Sequence, residues 1–170
     1  NLASVIYNNT NGGVKLLAIN TLGVLYIVER GDSVKSLADL SGKTLYATGE
    51  GAAPEYALRY LLKENGLDGE NAPKIQWCAD TTEALSYISS DENAIAMLPQ
   101  PFVTAAQAKV DGLRVALSLN DEWAKLDNGS AMVTGVVVCR SEFAEKYPQQ
   151  LEKFMQEYDS SVKYVQENTE

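Results

Sequence analysis

From residue 44 to residue 119 the chain repeatedly switches its hydrophobic period. Short β-rich runs at 44–48 (TLYAT), 74–79 (KIQWCA), 94–98 and 113–119 alternate with stretches whose apolar residues recur every three or four positions. Parallel neighbours need a long crossover that a hairpin cannot supply, and a helix is the usual one, so strands alternating with helices read as βαβ units. The expectation is an α/β fold with a mostly parallel sheet and helices on both faces. No internal repeat appears, so a solenoid is not expected. There is no Ser/Gly tether either, so two lobes would have to be joined by short crossing strands.

The flanking segments extend this pattern. Runs 14–20 (VKLLAIN) and 24–28 (VLYIV) are joined by Thr21-Leu22-Gly23 without a strong turn signal; they read as one long strand, or as two meeting at a crossing between lobes. A short helix is expected at 36–40, ended by Ser41-Gly42-Lys43. Pro54 is placed at the favoured first helical position, with Glu55 beside the positive helix end. Tyr56, Ala57, Leu58, Tyr60, Leu61 and Leu62 form a wide apolar face, and Asn65-Gly66 ends the helix. Asp80 and Glu83 have capping-box spacing ahead of Ala84, Leu85 and Ile88. Pro99-Gln100-Pro101 breaks the buried 94–98 strand, and 102–110 reads as a helix. Segment 120–122 (NDE) reads as a solvated loop that leaves Trp123 partly exposed, and 132–139 as a strand. Ser141 opens a helical region in which Pro148 marks a break or a new first turn. Tyr147, Leu151, Phe154, Met155, Tyr158, Val162 and Val165 then recur at helical spacing, as in a helix docked on a core. Asn1 begins inside a helical pattern and 165–170 stops inside another, which reads as a mature or excised piece of something longer.

Composition removes whole classes of chemistry. With 14 Lys+Arg against 23 Asp+Glu the net charge is −9, so no nucleic-acid partner is expected. Histidine is absent, which excludes Ser-His-Asp and Cys-His nucleophile systems and His-ligated zinc. Cys78 and Cys139 lie far apart in apolar runs, so they read as small buried hydrophobes and offer no thiolate–metal spacing. No catalytic residue, metal site or cofactor is expected. No apolar run approaches membrane-spanning length and no targeting signal is visible.

Two corners are chemically distinctive, because ligands in open α/β sheets bind beyond the carboxyl ends of strands. In Thr48-Gly49-Glu50-Gly51-Ala52-Ala53-Pro54, two glycines allow close approach of a ligand to the backbone, and free N–H groups of the first helical turn face an oxyanion. An ordinary strand-to-helix turn reads the same way. The segment is neither a Walker A loop nor a complete GxGxxG. In Leu98-Pro99-Gln100-Pro101-Phe102, two prolines hold Gln100 so that it presents an amide and Phe102 a flat apolar face; the alternative is a rigid turn with Phe102 in the core.

In order along the chain, segment 14–21, Leu37-Ala38-Asp39-Leu40-Ser41-Gly42-Lys43, the Gly49–Pro54 corner with the following EYALRYLL, the Pro99–Phe102 corner, and 143–148 with its long helix resemble substrate-binding proteins of ABC importers. The group is that of nitrate, sulfonate, taurine and thiamine-precursor binding proteins. The resemblance implies a type II periplasmic-binding-protein-like fold: residues 22–134 as the second lobe, 1–21 and 135–170 as part of the first, and crossings near 20–23 and 134–137. It implies an extracytoplasmic, periplasmic or lipid-anchored, monomeric protein that performs no chemistry. Such a protein holds a small polar or anionic organic solute between lobes and delivers it to an ABC permease in the membrane. Ligand-binding candidates are Asn20, Thr21, Thr48, Gly49, Glu50, Gly51, Ala52, Ala53, Gln100 and Phe102. The sequence departs from the family at Ala52-Ala53, where a Ser or Thr hydroxyl is common, and at Gln100, where Glu is common. Two other readings share parts of this pattern. One is the effector-binding domain of a bacterial transcription regulator. The other is a pyrimidine-forming enzyme of thiamine synthesis, whose activity relies on a histidine and a metal.

Overall fold

A computed structural model describes residues 2–168. The chain divides into two compact units, one spanning Thr21–Thr134 and the other comprising the segments up to Asn20 and from Gly135 onward. Both divisions fall inside strands, β1 (Val14–Leu22) and β7 (Val133–Arg140), which pair in a two-stranded sheet.

The Thr21–Thr134 unit is built on a five-stranded sheet. Its strands are β2 (Leu25–Glu29), β3 (Thr44–Thr48), β4 (Lys74–Cys78), β5 (Ile95–Pro99) and β6 (Arg114–Ser118), in the order β4-β3-β5-β2-β6. β3 is parallel to β4 and β5, whereas β2 is antiparallel to both β5 and β6. The strands from β3 to β6 therefore run one way, as the alternation predicts. β2, a separate strand from β1, inserts against them between β5 and β6. Hydrophobic period reports which face is buried but not which partner lies alongside, so this insertion is a finding of the tertiary structure.

Both faces of the sheet are covered, which is why β5 reads as an unbroken apolar run: Ile95 through Leu98 are all buried. Successive residues serve opposite layers. Ile95 and Met97 join Ile27, Leu45 and Ala47 beneath α2 (Ala53–Glu64) and the 3-10 turn Leu37–Leu40. Ala96 and Leu98 join Val28 beneath α3 (Thr81–Ser90) and α4 (Phe102–Gln107). Each fully buried Leu, Ile or Val side chain contributes about 1.5–3 kcal/mol.

Helix ends follow local chemistry. The Asp80 carboxylate accepts from the N–H groups of Thr82 (2.8 Å) and Glu83 (2.9 Å), and Glu83 reaches back to the Ala79 N–H at 2.7 Å. Pro54 is the second residue of α2 instead of the first, a position whose N–H is equally unpaired by the helix. Leu58, Leu61 and Leu62 are buried, but Tyr56 is 62% exposed. Two positions before Leu58, it falls on the far side of a helix of about 3.6 residues per turn.

Several boundaries differ from the sequence reading. The 102–110 helix is shorter, ending at Gln107. Residues 119–124, expected to end a strand and enter a loop, form α5 (Leu119–Ala124), capped by the Ser118 hydroxyl, which accepts from the Asp121 N–H at 3.3 Å. Glu122 is consequently buried and pairs with Lys125 at 2.5 Å. The polar NDE tripeptide masks an i, i+4 apolar pair, Leu119 and Trp123.

The other unit contains α1 (Leu2–Asn9), most of β1 and β7, α6 (Ser141–Lys146) and α7 (Pro148–Glu167), so Pro148 opens a new helix. The sequence reading has the last helix docked on a core. Instead, no described residue of this unit is buried, and Phe154 and Val165 are 46% and 64% exposed. The apolar stripe borders a small hollow of about 250 Å3 with Leu17, Cys139, Phe143 and Leu151. Cys139 is thus half-buried and Cys78 buried, both as free thiols. The sequence positions Asn1 and 169–170 lie outside the described residues.

Candidate functional site

The two corners end neighbouring strands. β3 and β5 are parallel with Leu45 opposite Ile95 and Ala47 opposite Met97; extending that register sets Gly49 beside Pro99. Thr48, Gly49, Glu50, Gly51, Ala52 and Ala53 therefore share one end of the sheet with Gln100 and Phe102. β2 runs antiparallel to β5 and begins at this same end, where the Gln100 N–H donates to the Val24 carbonyl at 2.9 Å.

Gly49 and Gly51 take φ of +89° and +71°, conformations that cost an L side chain strain. At Gly49 a Cβ would also stand 2.7 Å from Pro54 Cγ, whereas at Gly51 nothing lies within 4 Å. The first glycine closes the corner and the second leaves open space above it. The Ala52 N–H donates to the Gly49 carbonyl at 3.1 Å. Among the described residues, the Ala53 and Glu55 N–H groups and the Thr48 hydroxyl have no partner.

A feature that the corner motif did not reveal is how completely Glu55 engages it. Its Oε2 accepts from the Gly51 N–H at 2.7 Å and its Oε1 from Arg59 Nε at 2.6 Å. The Gly51 and Arg59 hydrogen bonds hold its carboxyl below the usual glutamate range. A carboxylate thus already sits at one of the corner's donors. The E-x-x-x-R spacing of Glu55 and Arg59 was the available sequence signal.

At the second corner the Gln100–Pro101 peptide is cis. Gln100 Oε1 accepts from the Thr104 hydroxyl at 3.1 Å and, more weakly, from its N–H at 3.4 Å. The amide oxygen is therefore turned toward α4, and its Nε2 has no acceptor among the described residues. Phe102 is half-exposed, not core. It borders a slot of about 150 Å3 between α3 and α4, with Leu85, Leu98 and Ala105. Asn20 and Thr21 lie in β1 on either side of the unit division, and the Thr21 carbonyl accepts from the Thr134 hydroxyl at 3.2 Å. No group of three or more His, Cys, Asp or Glu suited to a metal occurs among the described residues.

The sequence model of the family described as NMT1/THI5 like matches residues 14–170. This chain belongs to the NMT1/THI5-like family. Solved structures agree on the fold of this family member. It is similar to the putative sulfonate ABC transporter periplasmic sulfonate-binding protein SsuA of Methylobacillus flagellatus KT, with a TM-score of 0.70 and 23% identity over 97% of this chain and 48% of that one. The periplasmic aliphatic sulphonate binding protein SsuA of Escherichia coli gives a TM-score of 0.66 at 16% identity, over 96% of this chain and 53% of that one. An ABC transporter structure from Parabacteroides distasonis gives 0.57 at 22% identity, covering 95% and 56% of the two chains. The NMT1/THI5-like chain thus has the periplasmic-binding-protein fold and spans about half the length of these relatives. No curated protein sequence matches it. None of its described helices is long and apolar enough to cross a membrane.

Proposed function

We propose that this protein is the solute-binding component of an ABC import system and holds a small polar or anionic organic solute. The observation that carries this reading is the convergence of the Gly49–Ala53 and Gln100–Phe102 corners at one end of adjacent parallel strands, where open α/β sheets bind ligands. The unpartnered N–H groups of Ala53 and Glu55, the Thr48 hydroxyl and Gln100 Nε2 supply donors for a solute oxygen. Phe102 supplies an apolar surface. A solute anion competes with the Glu55 carboxylate for Gly51, so affinity depends on how far Arg59 draws Glu55 away. In this reading the Thr21–Thr134 unit is one lobe of the fold and the remaining segments are part of the other. Asn20 and Thr21 of β1 are further candidate solute contacts in this reading. The protein works outside the cytoplasm as a monomer, passes its solute to a membrane permease and does no chemistry. The likeness of this chain to the two SsuA sulfonate-binding proteins supports that view.

Calorimetry on the full-length protein with small sulfonates, carboxylates, nitrate and pyrimidines tests the reading. Gly51→Val should weaken binding of the preferred solute by about one to four powers of ten, the loss of one or two charge-assisted hydrogen bonds. Unchanged affinity would place the grip elsewhere.

A further inference from the structure

At the opposite end of the sheet, where β3 and β5 begin, there is a second hollow of about 410 Å3, within the range of small-molecule sites. Ser33, Lys43, Thr44, Tyr46, Asp91 and Asn93 border it. All six belong to the Thr21–Thr134 unit.

Two opposite charges border this hollow without being neutralised by the protein. The Lys43 ammonium donates to the Ser33 hydroxyl at 2.9 Å and to the Ser33 carbonyl at 3.2 Å. Both acceptors are neutral, and one of the three ammonium N–H groups is left over. Ser33 is itself anchored: its hydroxyl donates to Glu29 Oε2 at 2.7 Å, and Glu29 is only 2% exposed. The cation is therefore held in place by groups that do not cancel its charge. The Asp39 carboxylate is engaged elsewhere, accepting from the Lys35 and Ser36 N–H groups at 2.9 and 2.8 Å. Asp91 follows the last residue of α3, and its carboxylate accepts from the Asn93 N–H at 2.9 Å. It has no ion-pair partner among the described residues, and a helix C-terminus disfavours a negative charge. Lys43 and Asp91 do not pair with each other. Tyr46 adds an aromatic wall whose ring is fixed by stacking on Tyr87 at 4.1 Å and 12°. Tyr87 is held in turn by Gln76 Nε2, which donates to its hydroxyl at 3.1 Å.

We propose that this hollow binds a small zwitterion of the α-amino-acid type, with its carboxylate on Lys43, its ammonium on Asp91 and an apolar or aromatic side chain against Tyr46. A simple anion would meet Lys43 but also Asp91 and a chain of net charge −9; a simple cation would meet Lys43. A zwitterion meets both charges without adding net charge to the site. This site is separate from the Gly49–Ala53 corner, and its fate does not depend on the importer reading.

The test is amide chemical-shift mapping of the intact protein with three probes: L-phenylalanine, 3-phenylpropionate, which lacks the ammonium, and phenethylamine, which lacks the carboxylate. Saturable shifts at Ser33, Lys43, Thr44 and Asn93 are expected with phenylalanine, and binding about tenfold weaker with each single-charge probe, the effect of roughly one charge-assisted hydrogen bond. Lys43→Gln should weaken phenylalanine by a similar factor without weakening phenethylamine. Asp91→Asn, which retains the acceptor for Asn93, should do the reverse by sparing 3-phenylpropionate. The proposal is overturned by equal binding of all three probes, by an affinity indifferent to both substitutions, by the absence of saturable shifts, or by shifts confined to Gly51 and Gln100. The last outcome would move the amino acid to the other end of the sheet and leave the importer reading standing.

Discussion

Glu29 offers a demanding test of how the Thr21–Thr134 unit is held together. It ends β2 and is 2% exposed, yet it carries a charge. Oε2 accepts from the Ser33 hydroxyl at 2.7 Å and the Ser33 N–H at 3.2 Å, while Oε1 accepts from the Val34 N–H at 3.0 Å and from Arg114. Glu29→Gln conserves shape and replaces one acceptor by a donor. The least costly orientation turns the new NH2 toward Ser33, whose hydroxyl can rotate to accept, while the Ser33 N–H loses its partner. Arg114 loses its buried counter-charge but keeps the Gly31 and Val34 carbonyls at 2.8 and 2.9 Å and Asp32 at 3.2 Å. One charge-assisted hydrogen bond and one orphaned, part-buried N–H give an expected loss of about 2–3 kcal/mol. That is below the roughly 3–5 kcal/mol of a fully buried broken pair, because the Arg114 side chain is 33% exposed. Urea unfolding followed by Trp77 and Trp123 fluorescence measures it. The pH dependence gives a second reading. Burial pushes the Glu29 carboxyl up, but hydrogen bonds from the Ser33 hydroxyl, the Val34 and Ser33 N–H groups and Arg114 outweigh it and hold the carboxyl below its ordinary value. Its contribution is therefore complete above the unfolded-state glutamate value and disappears as pH falls through the depressed one. The wild type should lose this increment on acidification and the Gln variant should not. A loss under about 0.5 kcal/mol, typical of surface substitutions, with identical acid profiles would refute the account.

Two further outcomes follow from the site and the thiols. Gly49→Ala should cost about 2–5 kcal/mol in thermal or urea unfolding, since a positive φ adds to overlap with the rigid Pro54 ring, while Gly51→Ala should cost only about 1–2; equal costs would contradict the geometry of the corner. Cys78 should react with a thiol reagent far more slowly than half-buried Cys139, because burial, reinforced by Glu83 and Asp80, pushes its thiol up; comparable labelling rates would contradict its placement.

Much of this architecture is local and therefore legible in one dimension. The alternation of β3, the apolar run of β5, the Asp80 cap and the Asn65-Gly66 stop each depend on residues within a turn or two. So does the order of elements that sets one glycine-rich corner after β3 and a proline-rich one after β5. Strands that run parallel, as the alternation predicts, then bring both corners to one end of the sheet, although only the tertiary structure makes β3 and β5 neighbours. What lay beyond the sequence was long-range. The reversed insertion of β2 between β5 and β6 depends on a partner choice that periodicity does not encode. The Glu29–Arg114 pair joins residues 85 positions apart, so no spacing announces it. The wide apolar stripe of α7 predicts burial, yet burial requires a second surface, and the described residues around it supply only a two-stranded sheet and short helices. An apolar pattern records a residue's suitability for a core; only the assembled tertiary structure decides whether a core is there to receive it.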